Sequence, residues 1–533
     1  MGSAVDGPEV SWSALMKRTE PSATAGPEPF GNARDRYVRA ASMRMLVVLR
    51  ALAVSLFLVL AGCVNSSGLH PSTTLMESAS LISDRSLDVS RISPAAWPAR
   101  DWWSGLGDPQ LDALIAESLK NNPGLVAADA RARAAQSEAG LADAARGPSV
   151  DVAAGVSGQR APADAPMGTG HFGLTKQASA GFDWGLDLWG GKRAAWEAAV
   201  GEARAAELDA HAARIELSVN VAHAYVRLSH AWVRLDVAKQ ERARAVQASA
   251  LTRQRVAAGI DSQVQLKQGD AEVASADGQI LMAERAIDAA RSALSVLLGK
   301  GPDRGLSIER PRGLPAWNLG VPGDLPVELV GHRADLVAAR WRVDAANQGI
   351  KAAKAEFLPD ISISALAGVI GVAGGNPFVL PSRFYQAAPS LSLPLFDGGR
   401  LRSNLAGRDA SYDLAVAQYN RVLIAAVNEV SDDYSAQQSL IDQVAAEERA
   451  REAASQAWEL AHQRYRAGVG SYLEALVVRQ QLLVSEQRLA ALKADRIDLS
   501  IRLIHALGGG YRPDVAEHAP VAMPSSPPTA TRF

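Results

Sequence analysis

The chain has a single cysteine, Cys63, in 533 residues. An intrachain disulfide is therefore impossible, and no covalent staple holds the fold. Aromatic residues make up only 5%. So few large side chains exclude a thick interior and suit long alanine-rich helices packed closely together. Neither sign of charge is in excess: 55 Lys and Arg face 57 Asp and Glu, for a formal net charge of −2. There is no basic surplus for nucleic acid and no acidic tail. The length would allow three or four ordinary globular domains, but this composition argues against them.

What is present begins with an address. Arg44 and Arg50 flank the start of an apolar run, Ala51 to Leu60, which ends in Leu60-Ala61-Gly62-Cys63. A charged start, an apolar centre and small residues before a cut are the layout of a secretory signal. The run is short for a transmembrane helix. The Leu-Ala-Gly-Cys ending resembles a bacterial lipobox, which implies cleavage before Cys63 and lipidation there. Val64 in place of Asp after the cysteine favours, by the same resemblance, delivery to the outer membrane. Residues 1–42 are rich in Pro, Gly and charge and show no apolar period. They read as a misplaced start or a disordered leader, with Met43 or Met45 as a more ordinary first residue. The expected division is leader 1–42, signal 43–62, lipidated linker 63–100, first repeat 101–301, second repeat 325–510 and disordered tail 511–533.

The two repeats rest on landmarks that recur in order at an offset of roughly 210 residues. Pro148 is answered by Pro359. The corner Leu188-Trp189-Gly190-Gly191-Lys192-Arg193 is answered by Leu395-Phe396-Asp397-Gly398-Gly399-Arg400. Arg255-Val256-Ala257-Ala258-Gly259 is answered by Arg464-Tyr465-Arg466-Ala467-Gly468, and Leu298-Gly299-Lys300-Gly301 by Leu507-Gly508-Gly509-Gly510.

In the first copy, Asp108-Pro109 reads as an N-cap with proline at the first helical position. The helix should run to about Ala145, with Asn122-Pro123 as an interruption. The period then changes to two. Val150, Val152, Ala154 and Val156 alternate with Asp151, Ala153, Gly155 and Ser157. After a loop from about Gln159 to Lys176, Ala178, Ala180, Phe182, Trp184, Leu186 and Leu188 alternate with Ser179, Gly181, Asp183, Gly185 and Asp187. About ten residues is the length of a tilted strand that crosses a bilayer, and Trp184 and Trp189 lie where interfacial aromatics sit. A soluble half-buried hairpin has the same alternation, and the pattern leaves both open. A proline-free helix follows from about Lys192 to Val256, a glycine turn at Gly259, and a return helix from about Gln263 to Leu298. The second copy should give a helix from Val327 to Phe357. Its strands should hold Ile361, Ile363, Ala365 and Ala367, then Leu391, Leu393 and Leu395. Helices from Arg400 to Arg466 and from Tyr472 to Leu507 complete it.

Four strands cannot close a barrel, and open strand edges are not tolerated in hydrocarbon. If the strands face lipid, several chains must complete one cylinder, and three would give twelve strands, within the known range. The expected fold is mainly α with a transmembrane β portion: a long antiparallel α-helical barrel continuous with a 12-stranded β-barrel built by a trimer.

These landmarks resemble the TolC-like outer-membrane channels, in particular the NodT-like lipoprotein branch. The resemblance is carried by Trp102-Trp103-Ser104-Gly105-Leu106-Gly107-Asp108-Pro109-Gln110-Leu111, Asn122-Pro123, Leu393-Pro394-Leu395-Phe396-Asp397-Gly398-Gly399-Arg400, Arg464-Tyr465-Arg466-Ala467-Gly468 and Ala506-Leu507-Gly508-Gly509-Gly510. It implies a homotrimer that serves as the passive exit duct of a tripartite efflux pump, with a periplasmic adaptor and an inner-membrane transporter as partners and no cofactor. It implies adaptor contacts at Arg255, Gly259, Ser262, Arg464, Gly468 and Ser471, and an acidic pore constriction at Glu474. Val477 stands where the family commonly has an Asp. A non-pore lipid-anchored coiled-coil scaffold and an exit duct for protein secretion are the alternatives.

No enzyme is expected. Gly190-Gly191-Lys192-Arg193 has the strand-to-helix context of a phosphate loop. The second copy keeps the corner but lacks the Lys-Ser/Thr pair, so a bend explains both. His211, His223 and His230 share one helix without a zinc motif. Asp432-Asp433 and Glu447-Glu448 read as solvated helix charges.

Overall fold

In the computed structural model each half of the chain runs helix, helix, strand, strand, long helix, return helix. The structure describes residues 65–81, 96–160, 172–315, 322, 325–371 and 376–512. The leader, the signal, Cys63 and the segment 513–533 lie outside the described residues. The first half contains α1 (Pro109–Asn121), α2 (Pro123–Ala144), β1 (Ser149–Arg160), β2 (Phe172–Leu186), α3 (Gly191–Ala257) and α4 (Gln263–Leu297). The second contains α5 (Leu325–His332), α6 (Ala334–Ala355), β3 (Asp360–Gly371), β4 (Arg383–Ser392), α7 (Arg400–Arg466) and α8 (Tyr472–Ala506). Both long helices have 67 residues and both return helices 35. At about 1.5 Å per residue, the long ones reach about 100 Å.

The break between α1 and α2 follows from local chemistry. Pro123 removes a donor, and the Asn122 side chain accepts from Gly124 N at 2.7 Å while its amide donates to Leu297 O at 2.8 Å. The second copy was expected to keep one helix from Val327 to Phe357, but it breaks at Arg333, which adopts an extended backbone. No proline marks the spot. Tertiary bonds hold it: the buried Arg333 guanidinium donates to Asp335, to Glu429 at 2.9 Å and to Ala506 O at 3.1 Å. Two further boundaries are corrected. The first hairpin reaches Arg160 and resumes at Phe172, so its strands are longer than the Gln159–Lys176 loop allowed. The last strand runs Arg383–Ser392 and stops before Leu393 and Leu395. Asp360, the first residue of β3, already pairs with Ser392, and Pro394 has no N–H to extend a ladder.

The strands form one antiparallel sheet in the order β1-β2-β3-β4, with β1 and β4 at its edges. Residues paired across a ladder share a face. The register pairs Val150 with Phe182, Val152 with Ala180, Trp184 with Ile363, Leu186 with Ile361, Ala367 with Tyr385, and Ile361 with Leu391. One face is thus apolar across all four strands. Val152 on it is 79% exposed and Tyr385 90% exposed. The opposite face carries Asp151, Ser157, Gln177, Ser179, Asp183, Ser362, Ser364, Gln386 and Ser390, together with Leu366, Ile370 and Phe384. The hairpins alone could not distinguish a half-buried sheet from a lipid-facing one. An apolar face this continuous and this bare of covering elements has the second character.

Alanine and leucine dominate the helical contacts. One buried cluster joins α1, α3 and α4 through Leu111, Leu114, Ile115, Leu228 and Leu294. Its counterpart joins α6, α7 and α8 through Leu336, Val343, Val416, Leu423 and Leu503. The segment after the cysteine is clipped along α7. Arg402 donates to Asn65 O at 2.8 Å, Asp413 accepts from Ser72 N and Thr73 N at 3.0 and 2.8 Å, and Asn420 accepts from Met76 N. The bonds from Ser72 and Thr73 hold the Asp413 carboxyl far below the usual carboxylate range.

Candidate functional site

The two long hairpins end in matching turns. Each long helix closes on a left-handed glycine, Gly259 at φ 72° and Gly468 at φ 80°, a conformation that costs other residues a Cβ clash. Ile260 N donates to Arg255 O at 2.9 Å and Val469 N to Arg464 O at 3.0 Å, which satisfies carbonyls that the helix end leaves open. Each return helix then starts on a serine cap. Ser262 makes a reciprocal capping box with Gln265, and Ser471 Oγ accepts from Glu474 N at 3.1 Å. The six residues expected at the adaptor contact therefore lie in or beside these two turns, and a brace that starts at Arg255 joins one turn to the other.

That brace was not foreseen. Arg255 donates to both oxygens of Asp261, at 2.9 and 3.2 Å, and across to Tyr465 O at 3.1 Å, with its guanidinium 4.7 Å from the centre of the Tyr465 ring. The Tyr465 hydroxyl donates to Asp261 Oδ2 at 2.6 Å and lies 2.9 Å from Thr252 Oγ1. A bidentate ion pair within the first turn is tied to the second turn by the buried Tyr465, through its hydroxyl and its backbone carbonyl. Burial would raise the Asp261 carboxyl, but the bonds from Arg255 and Tyr465 outweigh it and hold it below its ordinary value. Burial, with the bond to Asp261, pushes the Tyr465 hydroxyl up to about 12, so it stays a donor. A signal for the brace existed in the mismatch between copies. Tyr465 stands where the first copy has Val256, and Asp261 where the second has Gly470.

Glu474 lies in the first turn of α8, half exposed, with Oε1 3.9 Å from Arg464 Nε. Around it Ile260, Val264, Val469, Leu473 and Val477 are all exposed, giving the turns an apolar surface.

Deeper between α3, α4 and α8 lies an ion cluster that the sequence reading missed. Arg479, 2% exposed, places Nη2 2.6 Å from Glu272 and Nε 3.1 Å from Glu241. Arg244 reaches Glu486 at 2.6 Å and Glu241 at 3.3 Å. Burial pushes the Glu241 carboxyl up, against the pull of Arg479 and Arg244. The acidic pairs on α7 are also corrected. Neighbours on a helix point about 100° apart, and in each pair one carboxylate turns toward α8 while its neighbour stays exposed. Asp433 is buried with its carboxylate 3.7 Å from Arg502, and burial pushes it up to about 6. Glu447 accepts from Ser485 at 2.8 Å. His223 bonds Asp498 between α3 and α8.

At the sheet-to-helix corners the phosphate-loop geometry is filled from within. Asp187 accepts from Lys192 N and Arg193 N at 3.1 and 2.7 Å, and Asp397 accepts from Gly399 N and Leu401 N at 3.0 and 2.7 Å. Trp184 Nε1 and Trp189 Nε1 donate to Arg146 O and Pro359 O, at 3.2 and 2.6 Å, at the same level. No helix among the described residues is long and apolar enough to cross a membrane.

Comparison with known proteins gives this arrangement a family. A model described as outer membrane efflux protein matches residues 114–300 and 325–509. The chain is 32% identical over 467 residues to the multidrug resistance outer membrane protein MdtP of Escherichia coli (strain K12), covering 83% of this chain and 95% of the relative. It is 37% identical over 372 residues to the fusaric acid resistance protein FusA of Burkholderia cepacia, covering 68% of this chain and 69% of the relative. The crystal structure of the outer membrane protein VceC from Vibrio cholerae superposes with a TM-score of 0.74 at 34% identity, over 78% of this chain and all of that one. The chain belongs to the outer membrane efflux protein family and is the outer-membrane channel component of an efflux pump.

Proposed function

We propose that three copies of this chain close a twelve-stranded barrel in the outer membrane, and that the turns at Gly259 and Gly468 dock a periplasmic adaptor fed by an inner-membrane transporter. The observation that carries the trimer is the sheet: its apolar face is uncovered and both edge strands are unpaired. Four such strands in lipid must find partners of their own kind, and three sets give an even number in the known range. The cargo class is small toxic molecules, by likeness to relatives whose names describe multidrug and fusaric acid resistance. The same names favour efflux over protein secretion. The duct is passive and carries no catalytic residue.

Purified protein added to planar bilayers should give discrete conductance steps and cross-link to trimers. A monomer that stays in solution without detergent after removal of the anchor, and conducts nothing, would overturn the reading.

Lipidation at Cys63 fits the clip on α7. Two residues on, Asn65 is tied to Arg402, two residues into the helix that leaves the sheet. Cys63→Ser should abolish incorporation of radiolabelled palmitate; retained label would count against the lipobox.

Glu474 is proposed to form a ring of three carboxylates at the pore mouth, where like charges in a narrow opening concentrate cations. Glu474→Ala should weaken block by divalent cations in single-channel records; unchanged block would leave Glu474 with only its contact to Arg464.

A further inference from the structure

The register sorts charge between the two faces of the sheet as strictly as it sorts polarity. On the apolar face the strand positions carry three cations, Arg160, Lys176 and Arg383, and no acid. On the polar face they carry three acids, Asp151, Asp183 and Asp360, and no cation. The cations also share one end. Lys176 pairs with Val156 and Gly371, Arg383 with Val369, and Arg160 with Phe172, all toward the hairpin connections and away from the helices. The helical end of the same face carries Val150, Leu186, Ile361 and Leu391 instead.

Cations near the helical end of the sheet are held by partners within the protein. Lys192 donates to Gly185 O, Arg193 pairs with Glu197, and Arg146 with Asp143. Lys176 and Arg383 differ, because both are exposed and neither side chain has an ion-pair partner among the described residues. Strand geometry puts their Cα atoms about 12 Å apart, two strand spacings across and two residues along. Exposed Phe172 and Tyr385 stand on the same face at this level, as aromatics do at a headgroup boundary.

We infer that the outer rim of the sheet binds phosphate-bearing lipid headgroups of the outer leaflet through Lys176 and Arg383. The charge is complementary, the site is continuous with the apolar face that lipid covers, and two separated cations suit a headgroup that carries two phosphates. The inference rests on the sheet being a barrel wall.

The test titrates the purified native protein in non-ionic detergent with bisphosphorylated lipid A and with the same glycolipid after dephosphorylation, reading bound lipid by native mass spectrometry. The phosphorylated form should bind roughly tenfold tighter. Lys176→Gln with Arg383→Gln should lose that preference while bilayer conductance persists, and Lys176→Arg with Arg383→Lys should keep it. Equal binding of the two lipids by the native protein, or an undiminished preference in the Gln variant, would overturn the inference. Conductance without lipid preference defeats this proposal alone, whereas absence of conductance defeats the barrel itself.

Discussion

Arg479→Ala destabilises the detergent-solubilised protein by about 3–5 kcal/mol, because truncating one partner of a buried ion cluster leaves uncompensated charge behind. Arg479 is the cation between Glu241 on α3 and Glu272 on α4, and it is 2% exposed. Burial already pushes the Glu241 carboxyl upward, and Arg479 and Arg244 oppose it. Without that arginine Glu241 must either take a proton or draw water into the wall. Adding Glu241→Gln and Glu272→Gln to Arg479→Met removes the stranded charges and recovers most of the loss. Equilibrium urea unfolding measures both. A loss under 1 kcal/mol for Arg479→Ala would mean that the pocket hydrates at no cost. The cluster joins the first hairpin to the return helix of the second, so its removal also loosens the two halves from each other.

Asp261→Ala opens the pore mouth. This one carboxylate accepts both arms of Arg255 within the first turn and the Tyr465 hydroxyl from the second, and of these the Tyr465 bond is the one that crosses between the turns. A hydrogen bond to a charged group contributes about 1.5–3 kcal/mol, so losing the one that crosses from Tyr465 should raise the open state roughly 10- to 100-fold in population. Single-channel records at low voltage report this as a higher mean conductance. Tyr465→Phe removes the hydroxyl alone and should act in the same direction with a smaller effect. A variant with native conductance would show that the brace holds the turns without holding the pore. The pH dependence has a definite sign. The Asp261 carboxyl is lowered in the fold from 3.8, so its contribution is complete above that value and is lost as pH falls through the lowered one. The brace therefore holds through neutral and mildly acidic conditions.

The elements that the sequence made legible are those set by local chemistry. Proline-free runs closed by Gly259 and Gly468 placed both 67-residue helices and both turns to within a residue or two. Asn122-Pro123 announced its own break. Period-two alternation located β1, β2 and β3. The misplaced features were decided at a distance. The break at Arg333 is held by Glu429 and Ala506 O, about 100 and 170 residues away along the chain. The end of β4 is fixed by where β3 begins. The burial of Asp433 and the bond from Ser485 to Glu447 depend on which side of α7 meets α8.

The sequence by itself determined the two-copy plan, the helix lengths, the turns and the near absence of a thick core, because glycine, proline and apolar period act within a few residues. It also placed Arg255, Gly259, Ser262, Arg464, Gly468 and Ser471 at the two helix turns and Glu474 at the start of α8. Only the tertiary structure decided how the apolar positions of four strands line up on one face of the sheet, that Tyr465 and Asp261 meet across the turns, and that Arg479 sits among glutamates. Those facts depend on ladder register and on the approach of helices distant in sequence, and no spacing along one chain encodes the distance between two side chains 204 or 207 positions apart.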